Sequence, residues 1–124
     1  MEQINRLIAN KLWLSSLKQE NFVETTGEFE SNYILIKNKQ ITRINVIGNV
    51  INKFENEDKS YVSITIDDSS AQVRLKTWRE DIKILDNIKT GDIVLVIGKI
   101  KKYNDEIYIL PEIVKKVSPN EETH

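Results

Sequence analysis

The chain has 124 residues, no cysteine and a formal net charge of −1, with 40% hydrophobic and 30% charged residues. This length suits one domain with its own core and is too short for two, and the lack of cysteine excludes disulfides and zinc–thiolate sites. The sequence shows neither a membrane-spanning apolar run nor a signal-peptide pattern, so we expect a cytoplasmic, nucleoid-associated protein, or a nuclear one in a eukaryote.

Residues 1–40 differ from the rest, and we interpret them as an N-terminal arm. Apolar residues at the spacing of one helical face favour a short amphipathic helix at its start; they are Ile4, Leu7, Ile8 and Leu12, with Trp13 just beyond. Tyr33–Ile36 is predicted to form a short apolar strand. The polar residues 118–124 are expected to be a tail.

From Ile41 onward the sequence has the period of two that is typical of strands. The first predicted strand contains Gly48 and ends before a charged hairpin loop at residues 53–60. A second strand follows, then the turn 67–70, rich in Asp and Ser, and a third strand that ends at Trp78.

A change of pattern at residues 79–88 predicts a short helix, because Ile82, Leu85 and Ile88 have helical spacing. A fourth strand is predicted over 93–103 and a fifth over 107–117, interrupted by Pro111, which indicates a break, a bulge or an edge. Gly48 and Gly98 are expected where strands bend strongly.

This order of elements predicts an all-β fold: a five-stranded Greek-key OB-fold barrel at residues 41–117, with a short helix between strands 3 and 4. An SH3-like barrel and a small sandwich are the alternatives. The helix between the third and fourth strands disfavours both.

Residues of alternate parity on the third and fourth strands are expected to point away from the core. Aromatic rings beside Lys and Arg are what binding of single-stranded nucleic acid requires. The candidate nucleic-acid-binding residues are Arg74, Lys76, Trp78, Lys99, Lys101 and Tyr103. The alternative is that Trp78 is a packing residue and the basic residues form a solvated surface.

A second candidate surface is apolar and predicts a protein partner. Leu95 and Ile97 are expected to face outward, where they need cover from the arm or from a partner subunit. The candidate partner-binding residues are Leu7, Ile8, Leu12, Trp13, Leu95 and Ile97. The barrel has thirteen Lys or Arg against twelve Asp or Glu, so a lone copy should bind a phosphate backbone modestly.

The sequence offers little for catalysis, and we expect no enzyme activity, no cofactor and no metal. The only histidine is the last residue, His124, and no glycine-rich phosphate loop occurs. Asp67 and Asp68 lie in a predicted turn, where paired aspartates are ordinary.

The segments just described resemble the OB domain of the middle subunit of replication protein A and the small OB subunit of the telomere-capping CST complex, in an archaeal-type form. The matching runs are 43–50, 66–71 with its Asp-Asp-Ser turn, Lys76-Thr77-Trp78 and 94–103. The resemblance implies that Trp78 and Tyr103 stack on DNA bases, and that the subunit binds DNA weakly alone and works within a heteromer. The eukaryotic subunit continues into a long helix, whereas the polar tail stands at that point here.

The leading hypothesis is therefore a non-catalytic subunit of a replication-protein-A-like complex. It would bind single-stranded DNA in replication, repair or end protection, with other OB-fold subunits as partners and no membrane association. Two alternatives remain open, namely an OB module that contacts only protein, and an RNA-binding or tRNA-binding OB protein.

Overall fold

The computed structural model describes residues 9–24 and 32–118. Five long strands make up most of it, and four short strands belong to the segment before them. The long strands are β5 (Arg43–Glu55), β6 (Tyr61–Asp67), β7 (Gln72–Trp78), β8 (Ile93–Tyr103) and β9 (Glu106–Lys116). The short strands are β1 (Asn10–Lys11), β2 (Phe22–Val23), β3 (Tyr33–Ile36) and β4 (Lys39–Ile41).

The long strands close into a barrel in the order β5-β6-β7-β9-β8, with β8 pairing back onto β5. All pairs are antiparallel except β7 and β9, which run parallel and meet at Leu75 and Ile109. Closure depends on the length of β5, because residues 43–49 pair with β8 and residues 49–55 pair with β6. The predicted OB-fold barrel is confirmed.

Gly98 lies where two strand backbones approach closely. The register of β8 and β9 shifts between Ile97 and Gly98, and Gly98 is opposite Pro111. A Cβ atom on Gly98 would stand 2.5 Å from the carbonyl oxygen of Leu110, and one on Gly48 would stand 3.2 Å from that of Asp67. The irregularity predicted at Pro111 and the bend predicted at Gly98 are therefore one bulge.

Alternate residues of the strands fill the barrel, as the period of two predicts. The fully buried side chains include Ile44, Val46, Val50, Ile64, Ile66, Leu75, Val94, Val96, Ile100 and Ile109. The helix predicted at residues 79–88 is a 3-10 helix over Arg79–Leu85. Leu85 and Ile88 are buried, so this helix covers one end of the barrel.

The arm is extended where it meets the barrel, so the last position of the predicted helix face, Leu12, is not helical. β1 pairs parallel with β5, and within residues 9–24 it is followed by two short 3-10 turns, Leu14–Ser16 and Gln19–Asn21. The N–H of Leu12 donates to the carbonyl of Asn45, so the barrel takes up a donor that a helix would have used. Ile4, Leu7 and Ile8 lie outside the described residues.

Three short strands, β2, β3 and β4, form a small sheet beside the barrel. β2, β3 and β4 pair antiparallel, and the predicted strand Tyr33–Ile36 is confirmed as β3. Ile41 ends β4 and pairs with Ile34 instead of starting the first barrel strand, which begins at Arg43. Both isoleucines are buried, and their contact with the core explains the difference.

Candidate nucleic-acid interface

Four aromatic side chains lie in a row across neighbouring barrel strands, and we call them the aromatic ladder. Tyr61 is opposite Trp78 in the pairing of β6 and β7, with ring centroids 5.3 Å apart. Phe54 of β5 lies 6.0 Å from Tyr61, and Tyr108 of β9 lies 6.1 Å from Trp78 in an edge-to-face arrangement. Phe54 is 50% exposed and Trp78 42% exposed, so the ladder presents open ring surface to a ligand.

Beside the ladder, one carboxylate holds two of the predicted cationic residues. Glu106 accepts from Arg74 through both oxygens, at 2.7 Å to Nε and 2.5 Å to Nη2. Lys76 donates to the same carboxylate at 2.8 Å and lies 4.5 Å from the centroid of the Tyr108 ring. The hydrogen bonds from Arg74, followed by those from Lys76, lower the pKa of Glu106 to about 2 against the opposing effect of burial.

These contacts refine what strand parity predicted for β7. Arg74, Lys76 and Trp78 share one side, because Arg74 and Lys76 reach the same carboxylate and Trp78 meets the ring that Lys76 covers. Lys76, however, is only 6% exposed. Parity identifies the face of a strand, but it does not tell whether neighbours on that face cover a side chain.

The candidates on β8 extend this face. Lys101 is opposite Tyr108 in the β8–β9 pairing, and Tyr103 is opposite Glu106. Tyr103 is 67% exposed. Within residues 9–24 and 32–118, neither Lys101 nor Lys99 forms an ion pair. Among the described residues, Lys101 is therefore a cation next to the aromatic ladder that has no ion-pair partner.

The loop between β5 and β6 is built by its own side chains. Asp58 accepts from the N–H and the hydroxyl of Ser60, and Asn56 accepts from the N–H of Tyr61. These bonds fix the chain as it enters β6 at Tyr61, which carries one ring of the ladder. Hydrogen bonds from Ser60 also lower the pKa of the Asp58 carboxyl.

Sequence reasoning did not assign a site role to Phe54 or Glu106. Tyr61 and Tyr108 both pack across strands against Trp78. The register of β6 and β7 could have indicated the ladder, since Tyr61 begins β6, Trp78 ends β7 and the two residues are paired directly. No local signal marks Glu106, because its partners lie about thirty residues earlier.

The Asp-Asp-Ser turn serves as an anchor for the arm. Asp68 accepts from the N–H of Leu14 at 2.8 Å, and also from Ser70 and Ala71 within its own turn. Burial raises the pKa of the Asp68 carboxyl, but these hydrogen bonds outweigh that effect and hold it below its ordinary value. Leu14 is 1% exposed, so the anchored segment belongs to the core.

The predicted partner-binding residues fall into three groups. Leu7 and Ile8 lie outside the described residues. Leu12 packs against the core, while Trp13 is 67% exposed at the edge of a groove of about 330 Å³. Leu95 and Ile97 are half-buried on β8, where Ile97 is opposite Ile113 of β9.

An apolar strip therefore runs over β8 and β9. Ile113 is 53% exposed. In the pairing of β5 and β8, Leu95 is opposite Ile47, and Ile47 lines the groove beside Trp13. The strip and the groove together form the second candidate surface.

In the part of the chain that the structure describes, no helix is long and apolar enough to cross a membrane. Among the same residues, no three histidine, cysteine or acidic side chains are grouped as metal ligands.

Comparison with known proteins gives one curated relative and several solved structures of the same shape. The relative is a 32 kDa subunit of replication protein A from Oryza sativa subsp. japonica, which is 25% identical over 113 residues, covering 88% of this chain and 37% of the relative. This chain thus spans little more than a third of that relative's length.

Two solved structures share the fold over almost the whole chain. A chain of the S. pombe Stn1–Ten1 complex superposes with a TM-score of 0.76 at 18% identity, over 94% of this chain and 84% of its own length. A chain of a replication protein A heterotrimer bound to single-stranded DNA gives 0.71 at 15% identity, over 93% and 85%. The resemblance inferred from the sequence is confirmed.

The model of one protein family, described as the OB-fold nucleic acid binding domain, matches residues 43–117. That range covers more than half of the chain and extends from the start of β5 to just beyond the end of β9. The chain therefore belongs to the OB-fold nucleic acid binding domain family.

Proposed function

We propose that this chain is a non-catalytic subunit that binds single-stranded DNA through the aromatic ladder and Tyr103. The observation that carries the proposal is the ladder itself, because its partly exposed rings lie beside Lys101. Aromatic rings stack on bases of any sequence, and nearby cations meet the phosphates. The similarity to a subunit of replication protein A supports the same function.

The proposed contacts divide by chemistry. Trp78 and Tyr103 stack on bases, while Lys99 and Lys101 meet phosphates. Arg74 and Lys76 share Glu106 in the free protein, so a phosphate contact from Arg74 depends on its release from that carboxylate.

Titration of a labelled oligothymidylate followed by fluorescence anisotropy tests the stacking. Stacking on one aromatic side chain contributes about 1–3 kcal/mol, so Trp78→Ala should weaken binding roughly tenfold or more. Trp78→Phe is the matched control, because it keeps a ring at the same place, and it should lose much less. Equal affinities of the wild type and Trp78→Ala would exclude this face as the binding site.

The same titration with oligouridylate separates DNA binding from RNA binding, since only RNA offers 2′-hydroxyl groups. Lys101→Ala should reduce the dependence of log K on log salt by about 0.7, the value for one phosphate contact on a single strand. A tighter complex with RNA would favour the RNA-binding alternative.

The apolar strip and groove support a partner subunit as the second element of the function. The proposed contacts are Leu7, Ile8, Leu12, Trp13, Leu95 and Ile97. Linking two weakly binding OB modules raises the affinity for DNA without any new contact. We expect the chain to co-purify with another OB-fold protein from its native extract after nuclease treatment, and Ile97→Asp to abolish this while leaving oligonucleotide binding by the isolated chain unchanged.

A further inference from the structure

We propose that Glu106 competes with the nucleic-acid backbone for Arg74, so that a phosphate group must displace this carboxylate before Arg74 can contribute to binding. This inference rests on the proposed function of the aromatic ladder. It identifies an acidic residue on that face that limits affinity.

The geometry of the pair supports the exchange. Arg74 donates to both oxygens of Glu106 through Nε and Nη2. A phosphate group also has two oxygens that can accept the same pair of hydrogen bonds from a guanidinium. The side chains of Arg74 and Glu106 are 42% and 34% exposed. Both side chains of the pair are therefore accessible to a ligand that approaches from solvent.

The position of Glu106 makes the competition hard to avoid. It is opposite Tyr103 in the β8–β9 hairpin, next to Tyr108 of the ladder in β9. A strand whose bases stack on both Trp78 and Tyr103 has to carry its phosphates past this carboxylate. A phosphate at such short range is a second anionic partner for the guanidinium of Arg74.

Lys76 makes the exchange feasible without leaving an unpaired anion. It is 6% exposed and is held between Glu106 and the ring of Tyr108, so it stays in place when Arg74 turns outward. Glu106 then keeps one cationic partner, and the guanidinium is free for a phosphate. The cluster of two cations and one anion has one surplus positive charge to offer.

The experiment is an anisotropy titration of a labelled oligothymidylate with Glu106→Gln, repeated over a series of salt concentrations. One additional phosphate contact on a single strand steepens the slope of log K against log salt by about 0.7. With equal affinities of the two proteins at 1 M salt as the reference, that slope makes Glu106→Gln bind about eightfold tighter at 50 mM salt and about twofold tighter at 300 mM. Weaker or unchanged binding by Glu106→Gln would overturn the proposal.

Two controls identify the cause of a gain. Asp92→Asn removes the same charge from an ion pair with Lys116, at 3.6 Å, just before β8 and apart from the residues proposed to bind DNA, and should change affinity far less. An equal gain in both variants would mean that net charge alone is responsible. The double variant Arg74→Gln/Glu106→Gln should lose the gain, because the released guanidinium is absent.

Further outcomes distinguish this proposal from the one it rests on. If the wild type binds and Trp78→Ala weakens it, while Glu106→Gln changes nothing, the ladder is the site and Glu106 is no competitor. If neither the wild type nor Glu106→Gln binds at low salt, both proposals fail. Glu106→Asp, which keeps the charge and withdraws it by one methylene group, should give a smaller gain and replaces Glu106→Gln if that variant fails to fold.

Discussion

The anchor between Asp68 and the arm leads to a sharp prediction. In Asp68→Asn, one oxygen can still accept from Ser70 and Ala71, but the amide nitrogen then faces the N–H of Leu14. The variant therefore loses the 2.8 Å bond to Leu14 and keeps most of the turn. Asp67→Asn is the matched control, since it removes the same charge at the neighbouring position. Among the described residues, the Asp67 side chain accepts hydrogen bonds from Ser69 and Gln72 and not from the arm.

The magnitude follows from the nature of the lost bond. A hydrogen bond to a charged acceptor contributes about 1.5–3 kcal/mol when its loss leaves a partly buried donor without a partner. We expect Asp68→Asn to lower the free energy of unfolding by about 2 kcal/mol, which corresponds to a Tm lower by roughly 10 °C for a domain of this size. Asp67→Asn should lower it by less than about 0.5 kcal/mol.

Thermal unfolding and amide hydrogen exchange together measure the effect. The Leu14 amide should exchange about thirtyfold faster in Asp68→Asn, the factor equivalent to 2 kcal/mol. Amides in the middle of β6 should follow only the global change in stability. Equal Tm values for Asp68→Asn and Asp67→Asn, together with an unchanged exchange rate of the Leu14 amide, would refute this prediction.

Two further predictions concern stability. Gly98→Ala should destabilise the barrel by about 2–3 kcal/mol and Gly48→Ala by less, because the new Cβ atom meets backbone at 2.5 Å in the first case and at 3.2 Å in the second; equal melting temperatures would contradict this. The folded-state pKa of Glu106, about 2 against an ordinary value of 4.5, gives stability that is complete above the unfolded-state pKa and is lost as the pH falls from about 5 to 2. Because Arg74 is 42% exposed, solvent screening reduces this contribution to about 1 kcal/mol. Denaturant titrations should show that the free energy of unfolding of Glu106→Gln falls less between pH 5 and pH 2 than that of the wild type, by about this amount.

The barrel was predictable because its strands carry a local signal. Alternation of apolar and polar residues depends only on which face is buried, so β6 and β8 could be delimited from the sequence. The turn at 67–70 and the helix before β8 likewise follow from residues within a few positions of each other. Their order then leaves few topologies open.

The arm and the cation pairs were not predictable in the same way. β1 has two residues, and its conformation comes from Ile44 and Asn45, more than thirty positions away. The state of Arg74 and Lys76 is likewise determined by Glu106, which no periodicity connects to them. Contacts that are distant in sequence and made by single residues leave no repeating pattern to detect.

The short pairing of β1 with β5 also has a protective consequence. β6 leaves β5 at Asn49, and the stretch of β5 before that point would otherwise present a row of unpaired backbone groups on one side. Such an open edge is a template on which another chain can add a strand, which is a route to aggregation and to strand exchange. By pairing with Ile44 and Asn45, β1 covers part of this edge and leaves less of it open to strand addition.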